Sequence, residues 1–183
     1  MASREKTDKI ILTGLMMAMI TIVTMITPIP IPFTSGYIHL GDAIIFLSVL
    51  ILGWKYGAIA AGVGSALADI FVGFAVWAPW TLCIKGGMAI IMGVFIAKSM
   101  HSHGKTIFGI LVYQQIGMVL AGVFMVIGYY IAEGLIYGNF ITAALGIPWN
   151  IGQFVVGLVI ASLIASVLYK SPANKFFTYK PLN

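Results

Sequence analysis

The sequence has very little charge, since only 8% of its 183 residues are Asp, Glu, Lys or Arg. Soluble globular domains carry roughly 25% charged residues, so this composition excludes an ordinary soluble protein. Hydrophobic residues make up 61% of the chain, and the mean hydropathy is +1.06. Lipid is therefore the expected solvent for most of the surface. At about 20 residues per span, the length allows about six membrane-spanning helices in a single domain.

Cysteine is nearly absent, and so are the short motifs of catalysis. The one cysteine, Cys83, lies in a hydrophobic stretch and excludes an intrachain disulfide. The sequence contains no Gly-x-Ser-x-Gly, no His-Glu-x-x-His and no phosphate-binding loop ending in Lys-Ser/Thr. We therefore expect no enzyme activity, no cofactor and no ATP hydrolysis in this chain. His101 and His103 lack a third ligand, which favours a solvated loop over a metal site.

The net charge of +5 does not predict a nucleic-acid partner, because the basic residues are spread through the termini and short loops. That distribution is typical of residues that set membrane topology. With the N-terminus and C-terminus both in the cytoplasm, every basic residue except Lys85 falls on the cytoplasmic side. These residues are Arg4, Lys6, Lys9, Lys55, Lys98, Lys105, Lys170, Lys175 and Lys180. The first hydrophobic run is long and has no cleavage site after it, which indicates a retained span.

The hydrophobic runs predict an all-α, polytopic membrane protein with six transmembrane helices in one integral-membrane domain, residues 1–183. The predicted helices are about 9–27, 39–54, 57–74, 80–98, 106–133 and 149–169. Three prolines make 28–38 an irregular loop, and several glycines break the chain in 134–148. The polar, basic tail at 170–183 is expected to be ordered only in part.

Two charges stand inside predicted spans, where a charged side chain is costly and usually marks a site or a pair. Asp69 and Lys85 each lie about five residues, or roughly 8 Å, below the predicted outer surface. The other polar residues near that surface are Tyr37, His39, Asp42, Glu133, Asn150 and Gln153. Trp77 and Trp80 add aromatic rings in a neighbouring turn. Together they predict an outward-facing pocket for a planar ring ligand, held by stacking and hydrogen bonds.

Simpler interpretations of these residues stay open at this point. Asp69 and Lys85 can pair with each other as a structural ion pair, whether or not they contact a ligand. Asp42 can cap the second helix, and Glu133 can be a solvated charge at a helix end. The tryptophans can belong to the aromatic belt at the membrane interface.

Small residues at four-residue spacing form a second pattern. In the predicted third span Ala58, Gly62 and Ala66 allow close helix packing within the subunit. Gly14 and Ala18 in the first span differ because methionines surround them, and flexible methionine side chains suit adaptable contact surfaces. This pattern predicts a partner-binding face on the first helix.

The sequence resembles the substrate-binding S components of energy-coupling factor (ECF) vitamin transporters. The resemblance covers nearly the whole chain and is carried by four stretches: Gly14 to Ala18, Tyr37 to Asp42, Gly62 to Asp69, and Trp80 to Gly86. It implies a six-helix protein of the prokaryotic plasma membrane that binds a vitamin near the outer face. It also implies partners: a transmembrane T component, and two ABC ATPases that carry the ATP and Mg. In the family an Ala-x-x-x-Ala motif contacts the T component, and Gly14 stands here in place of the first alanine.

Within this family, the sequence most resembles members linked to hydroxymethylpyrimidine or vitamin B6-like compounds, which are small planar heterocycles. Pantothenate, thiamin and riboflavin stay open as substrates. A self-sufficient secondary transporter is a less favoured alternative, because it requires polar residues deeper in the inner half of the spans. A structural subunit without a ligand is a further alternative.

Overall fold

The computed structural model describes residues 2–31, 36–99, 105–107 and 110–180, which are mostly helical. The helices are α1 (Ala2–Ile26), α2 (Gly41–Phe71), α3 (Ala78–Ser99), α4 (Val112–Tyr137), α5 (Phe140–Ala144) and α6 (Ile147–Tyr169). Two short antiparallel ladders pair β1 (Ile29–Pro30) with β2 (Tyr37–Ile38), and β3 (Thr106–Ile107) with β4 (Ile110–Leu111). A 3-10 helix, Pro172–Phe176, follows α6.

Five helices in the described part of the chain are long and apolar enough to cross a membrane. They are Lys6–Ile26, Gly41–Phe71, Ala78–Ser99, Val112–Tyr137 and Phe140–Tyr169, the last of which joins α5 and α6. Large apolar side chains on their outer faces are exposed, as expected for surfaces that meet lipid. The six-span count and the cytoplasmic location of both termini stay predictions.

Helix α2 is broken at Gly53, whose φ of 78° and ψ of 174° lie outside the helical region. The chain reverses direction there. The evidence is the close approach of the two segments, since a Cβ on Gly57 would lie 3.1 Å from the Cα of Val49. In a continuous helix these two residues would be about 12 Å apart. The predicted second and third helices therefore fall in the two antiparallel segments of α2. The prediction placed the turn after Trp54, whereas the structure places it at Gly53, where glycine adopts the left-handed φ without steric cost.

The prediction for the fifth helix was wrong at its beginning. Thr106–Ile107 and Ile110–Leu111 are extended, and α4 begins only at Val112. β-branched residues favour the extended ladder, and the side chain of Gln114 accepts a hydrogen bond from the Leu111 amide at 3.2 Å, just before the helix. Two predicted loops also contain regular structure: β1 and β2 lie in 28–38, and α5 lies in 134–148.

Helix α2 is the centre of the bundle and packs against α1, α3 and α6, while α4 packs against α3 and α6. The largest fully buried apolar side chains include Phe46 and Met88. Small residues allow backbones to touch: a Cβ on Gly62 would lie 2.8 Å from the Leu82 carbonyl oxygen. The small-residue pattern of the predicted third span therefore serves packing within the chain.

The C-terminal tail packs on the break in α2, although the sequence predicted only partial order there. The amide nitrogens of Thr178 and Tyr179 donate to the carbonyl oxygens of Ile51 and Leu50, each at 3.0 Å. Those carbonyls belong to the last turn before Gly53, which has no helical partners of its own. The tail thus provides hydrogen-bond donors for two carbonyls of a helix end inside the bundle.

Candidate ligand-binding site

Both segments of α2, the end of α4 and the beginnings of α3 and α6 converge at one end of the bundle, below the β1–β2 ladder. We call this the pocket end. It holds a pocket of about 380 Å³, counting the space open at its mouth. The reversal at Gly53 creates the site, since it brings the first and last turns of α2 to the same end. The pocket is lined by Ile31, Gly36, Tyr37, His39, Asp69, Trp77, Thr81, Tyr129, Glu133, Asn150 and Gln153.

A buried ion pair lies beneath the pocket. Lys85 Nζ donates to Asp42 Oδ1 at 2.6 Å, and neither side chain is exposed. The Nζ atom also lies 2.8 Å from Met125 Sδ and 5.3 Å from the centre of the Tyr129 ring. The alternative that Lys85 pairs with Asp69 was therefore wrong. The capping role for Asp42 was wrong too, because Leu40 holds the N-cap position and Asp42 lies inside the first turn.

Gln153 connects the ion pair to the pocket wall. Its Nε2 donates to Asp42 Oδ2 at 2.9 Å, and its Oε1 accepts from the His39 backbone nitrogen at 2.9 Å. The His39 ring accepts at Nδ1 from the Gly41 nitrogen at 3.0 Å. Burial and the nearby Lys85 ammonium lower the pKa of His39 to about 3, so the imidazole is neutral at physiological pH.

Asp69 forms one wall of the pocket. Its Oδ1 accepts from the Tyr37 hydroxyl at 2.6 Å, and the Tyr37 ring packs against Phe74 with 4.8 Å between centroids. Burial beside this carboxylate raises the pKa of Tyr37, so its phenol stays protonated and donates. Asp69 Oδ2 is buried and has no hydrogen-bond partner among the described residues.

Glu133 lines the pocket from the end of α4. Its side chain is only 2% exposed, so the interpretation as a solvated charge was wrong. Its Oε2 is buried and unpartnered within the described ranges of the chain. The carboxylate packs against Gly146, where a Cβ would lie 2.5 Å from Oε2, so glycine makes room for it. Asn150, 5% exposed, adds an amide from the first turn of α6.

Aromatic rings from the turn before α3 and from α4 form the other wall. The Trp77 and Tyr129 rings lie 6.2 Å apart between centroids, and the Tyr129 hydroxyl lies 3.2 Å from Thr81 Oγ1. Trp77 is 5% exposed, so it belongs to the pocket rather than to an interfacial belt. The site therefore combines flat apolar surfaces with buried carboxylate oxygens.

The structure brings together seven of the ten residues predicted for ligand binding: Tyr37, His39, Asp69, Trp77, Glu133, Asn150 and Gln153. Asp42 and Lys85 lie under the pocket and do not line it, and half-buried Trp80 is outside it. Sequence reasoning missed Thr81 and Tyr129. Helical spacing could have indicated both residues, because residues four apart share one face of a helix. Thr81 lies four residues after Trp77, and Tyr129 lies four residues before Glu133.

The described residues contain no group of three His, Cys, Asp or Glu side chains that could hold a metal ion. His101 and His103, considered above as metal ligands, lie outside the described residues.

The family model described as "ECF-type riboflavin transporter, S component" matches residues 4–170. The chain belongs to the ECF-type transporter S components. The S component is therefore a multi-pass protein of the cell membrane, from a family of transporter subunits rather than of enzymes.

Two curated relatives cover most of the S component. The thiamine precursor transporter HmpT of Lactococcus lactis subsp. cremoris (strain MG1363) is 27% identical over 164 residues, which is 89% of each chain. An uncharacterised protein of Pyrococcus woesei is 38% identical over 152 residues, which is 82% of this chain and 95% of its own length.

Two solved structures share the fold of the S component. The S component for biotin from an ECF-type ABC transporter has a TM-score of 0.75 at 21% identity, covering 97% of this chain and 99% of its own. The S component of a bacterial ECF transporter has a TM-score of 0.72 at 20% identity, covering 90% and 97%. At these identities the likeness concerns the fold alone.

Proposed function

We propose that this S component captures a small water-soluble vitamin or precursor from outside the cell, with hydroxymethylpyrimidine or a vitamin B6-like heterocycle as the substrate class. It delivers the substrate together with a T component and two ATPases, which carry the ATP and Mg, and it needs no cofactor of its own. The observation that carries this proposal is the pair of buried, unpartnered carboxylate oxygens of Asp69 and Glu133, set in an aromatic pocket.

The chemistry of the pocket favours a ring with hydrogen-bond donors. A buried acceptor without a partner costs about 1–3 kcal/mol, and a ligand amino or hydroxyl group removes that cost. The rings of Trp77 and Tyr129 offer apolar surface to a flat heterocycle. An amino-hydroxymethylpyrimidine carries both kinds of group on one ring, and the relative named HmpT transports a thiamine precursor by its name.

Anionic substrates are disfavoured by the charges at the site. Asp69 and Glu133 line the pocket, whereas the ammonium of Lys85 is already paired with Asp42 beneath it. A carboxylate such as that of pantothenate would face two carboxyl groups, and the nearest ammonium is already paired. Riboflavin and thiamin are alternatives that carry no carboxylate, and the description of the matching family model favours riboflavin.

The direct test is native mass spectrometry of the purified protein, followed by titration with hydroxymethylpyrimidine, pyridoxine and riboflavin. We expect tight binding of a single-ring compound, and uptake into proteoliposomes only when the T component and ATPases are included. Tight binding of riboflavin alone would overturn the substrate class. Ion-driven uptake by the isolated chain would instead favour a secondary transporter.

The orientation of the pocket is testable through the single cysteine. In a Cys83→Ser background, Val76→Cys places a thiol in the α2–α3 turn at the pocket end, and Lys55→Cys places one beside the break at Gly53. Both positions are exposed. With both termini in the cytoplasm, a membrane-impermeant maleimide added to intact cells labels position 76, and labels position 55 only after permeabilisation. The reverse pattern would overturn the proposed topology.

The partner-binding face proposed for α1 is open in the structure. Gly14 and Ala18 are exposed, and a Cβ on Gly14 would meet nothing within 4 Å among the described residues. Gly14→Leu is expected to abolish uptake with the T component while leaving ligand binding intact. Gly152→Leu is a matched control, because Gly152 of α6 is equally open. Equal loss of uptake in both variants would contradict a specific face on α1.

A further inference from the structure

Three side chains from three helices form a continuous hydrogen-bonded chain under the pocket. Lys85 of α3 donates to Asp42 of α2, Gln153 of α6 donates to the other oxygen of Asp42, and Gln153 accepts from the His39 backbone. We call Lys85, Asp42 and Gln153 the relay. Lys85 and Asp42 are fully buried and do not line the pocket, so the binding role predicted for them from sequence requires another explanation.

The relay fixes the direction of the Gln153 amide. A carboxylate only accepts hydrogen bonds, so Asp42 requires the Nε2 end of Gln153. The carbonyl end is then left for the His39 amide, at 2.9 Å. If Asp42 lost its charge, the amide would be free to reverse, and its NH₂ group would then oppose the His39 N–H. The ion pair with Lys85 keeps Asp42 ionised, and an ionised carboxylate only accepts hydrogen bonds.

His39 is held a second time through its ring. The Gly41 N–H donates to Nδ1 at 3.0 Å, and Thr24 Oγ1 lies 3.5 Å from the same atom. A ring nitrogen that accepts from an amide carries no proton, so the proton of the neutral imidazole is on Nε2. Among the described residues every hydrogen bond of the ring is made by Nδ1, and His39 lines the pocket. Glycine is required at 41, since a Cβ there would lie 2.8 Å from Nδ1 and collide with Thr24 Oγ1.

We propose that the relay positions His39 as a fixed hydrogen-bond donor, with Nε2–H directed at an acceptor atom of the ligand. This proposal rests on the function proposed above and refines its substrate class. The ligand ring presents an acceptor, such as a ring nitrogen, to His39, and presents donor groups to Asp69 and Glu133. Lys85 and Asp42 are positioning residues that act through Gln153 without touching the ligand.

The first test needs no ligand. Nitrogen-15 NMR of histidine-labelled protein in detergent reads the tautomer directly, and His101→Gln with His103→Gln leaves one of the three histidines. We expect His39 to be the Nε2–H tautomer from about pH 5 to pH 8. In the Asp42→Asn/Lys85→Met double variant a reversed Gln153 amide no longer accepts from the His39 backbone, so the ring is displaced from the Gly41 N–H and we expect a mixture of tautomers. An Nδ1–H tautomer in the parent protein, or an unchanged spectrum in the double variant, would overturn the relay whatever the ligand is.

The second test uses a matched pair of substitutions and hydroxymethylpyrimidine as the probe. His39→Gln keeps a donor near the position of Nε2 and loses the acceptor for Gly41, whereas His39→Asn keeps that acceptor and loses the pocket donor. We expect His39→Asn and the double variant each to weaken binding about 10-fold or more, and His39→Gln to retain most of it. Equal loss in both His39 variants would contradict a donor role. If the parent protein does not bind the probe, the proposed substrate fails, and the NMR result still decides the relay.

Discussion

Two buried glutamines lie at opposite ends of the bundle, and each connects a helix to a segment outside it. At the pocket end, Gln153 accepts from the His39 backbone and donates to Asp42. At the other end, Gln114 accepts from the Leu111 backbone and donates to the Tyr179 carbonyl. In both places the acceptor end of the amide takes a backbone N–H and its donor end takes a second oxygen, so one side chain joins two neighbours.

The two ends differ in what completes them. Beside Gln114, the tail donates to two carbonyl oxygens of the last turn before the break in α2, and the Tyr169 hydroxyl lies 2.8 Å from the Tyr179 carbonyl oxygen. The pocket end keeps two carboxylate oxygens without partners among the described residues. The remaining unpartnered buried oxygens in the described chain are the hydroxyls of Ser65 and Ser162, inside helices. At one end the chain itself supplies hydrogen-bond partners, and at the other end a ligand could supply partners for the two carboxylate oxygens.

The largest effect is expected from breaking the ion pair under the pocket. Lys85→Met leaves the Asp42 carboxylate buried without a cation, which lowers the free energy of unfolding by about 3–5 kcal/mol. Asp42→Asn combined with Lys85→Met removes both charges and is expected to recover most of that loss. Thermal unfolding in detergent measures both. A double variant as unstable as the single one would show that the charges do not balance each other.

Removing the charge of Asp69 is expected to weaken ligand binding much more than it lowers stability. Asp69→Asn weakens ligand binding by about 10- to 150-fold, because a hydrogen bond to a charged group contributes about 1.5–3 kcal/mol. Thermal stability without ligand falls little, since the asparagine Oδ1 still accepts from the Tyr37 hydroxyl and Oδ2 has no partner to lose. Ser65→Ala, which removes an unpartnered oxygen outside the pocket, serves as the control with unchanged binding. A loss of stability in Asp69→Asn matching the loss of affinity would point to a structural role.

Acid is expected to destabilise the pocket end through His39. Its pKa is about 3 in the folded protein and 6.5 ordinarily, so below pH 6.5 the unfolded chain binds the extra proton. The free energy of unfolding therefore falls as the pH falls, by about 1.4 kcal/mol per unit, or about 2 kcal/mol at pH 5. Unfolding temperatures measured from pH 7.5 to pH 5 should show this slope in the parent protein and a smaller one in His39→Asn. Equal slopes would exclude a neutral, buried His39.

The smallest expected effect is a difference in stability between alanine substitutions at two glycines with positive φ, one at each end of the bundle. Gly53 and Gly73 have φ of 78° and 88°, so alanine at either position costs about 1–2 kcal/mol. Gly53→Ala is expected to cost more, because its Cβ would lie 3.3 Å from Thr178 Cγ2, whereas nothing described lies within 4 Å of the corresponding atom at Gly73. Equal destabilisation of the two variants would contradict a close fit of the tail against the break.

Much of the candidate site was predictable because intramembrane polar residues are few and their depth follows from helix length. Tyr37, His39 and Asn150 were found in this way, as were Asp69 and Glu133. The partners of each charge were not predictable. Asp69 and Lys85 stand at similar predicted depth and Asp42 nearer the outer end of its helix, yet the packing of α2 against α3 and α6 brings Lys85 to Asp42.

The sequence by itself determined that the chain is a helical membrane protein with its intramembrane charges gathered at one end. Composition and hydrophobic run length suffice for that conclusion, since every buried backbone group in lipid must be bonded within a helix or a closed sheet. The tertiary structure decided where α2 reverses, what the tail binds, and that Lys85 pairs with Asp42 rather than with Asp69. Those outcomes depend on contacts between residues far apart in the chain. The periodicity of hydrophobic residues does not specify such contacts. It predicts which face of a helix is buried, but not which side chain of another helix packs against each residue.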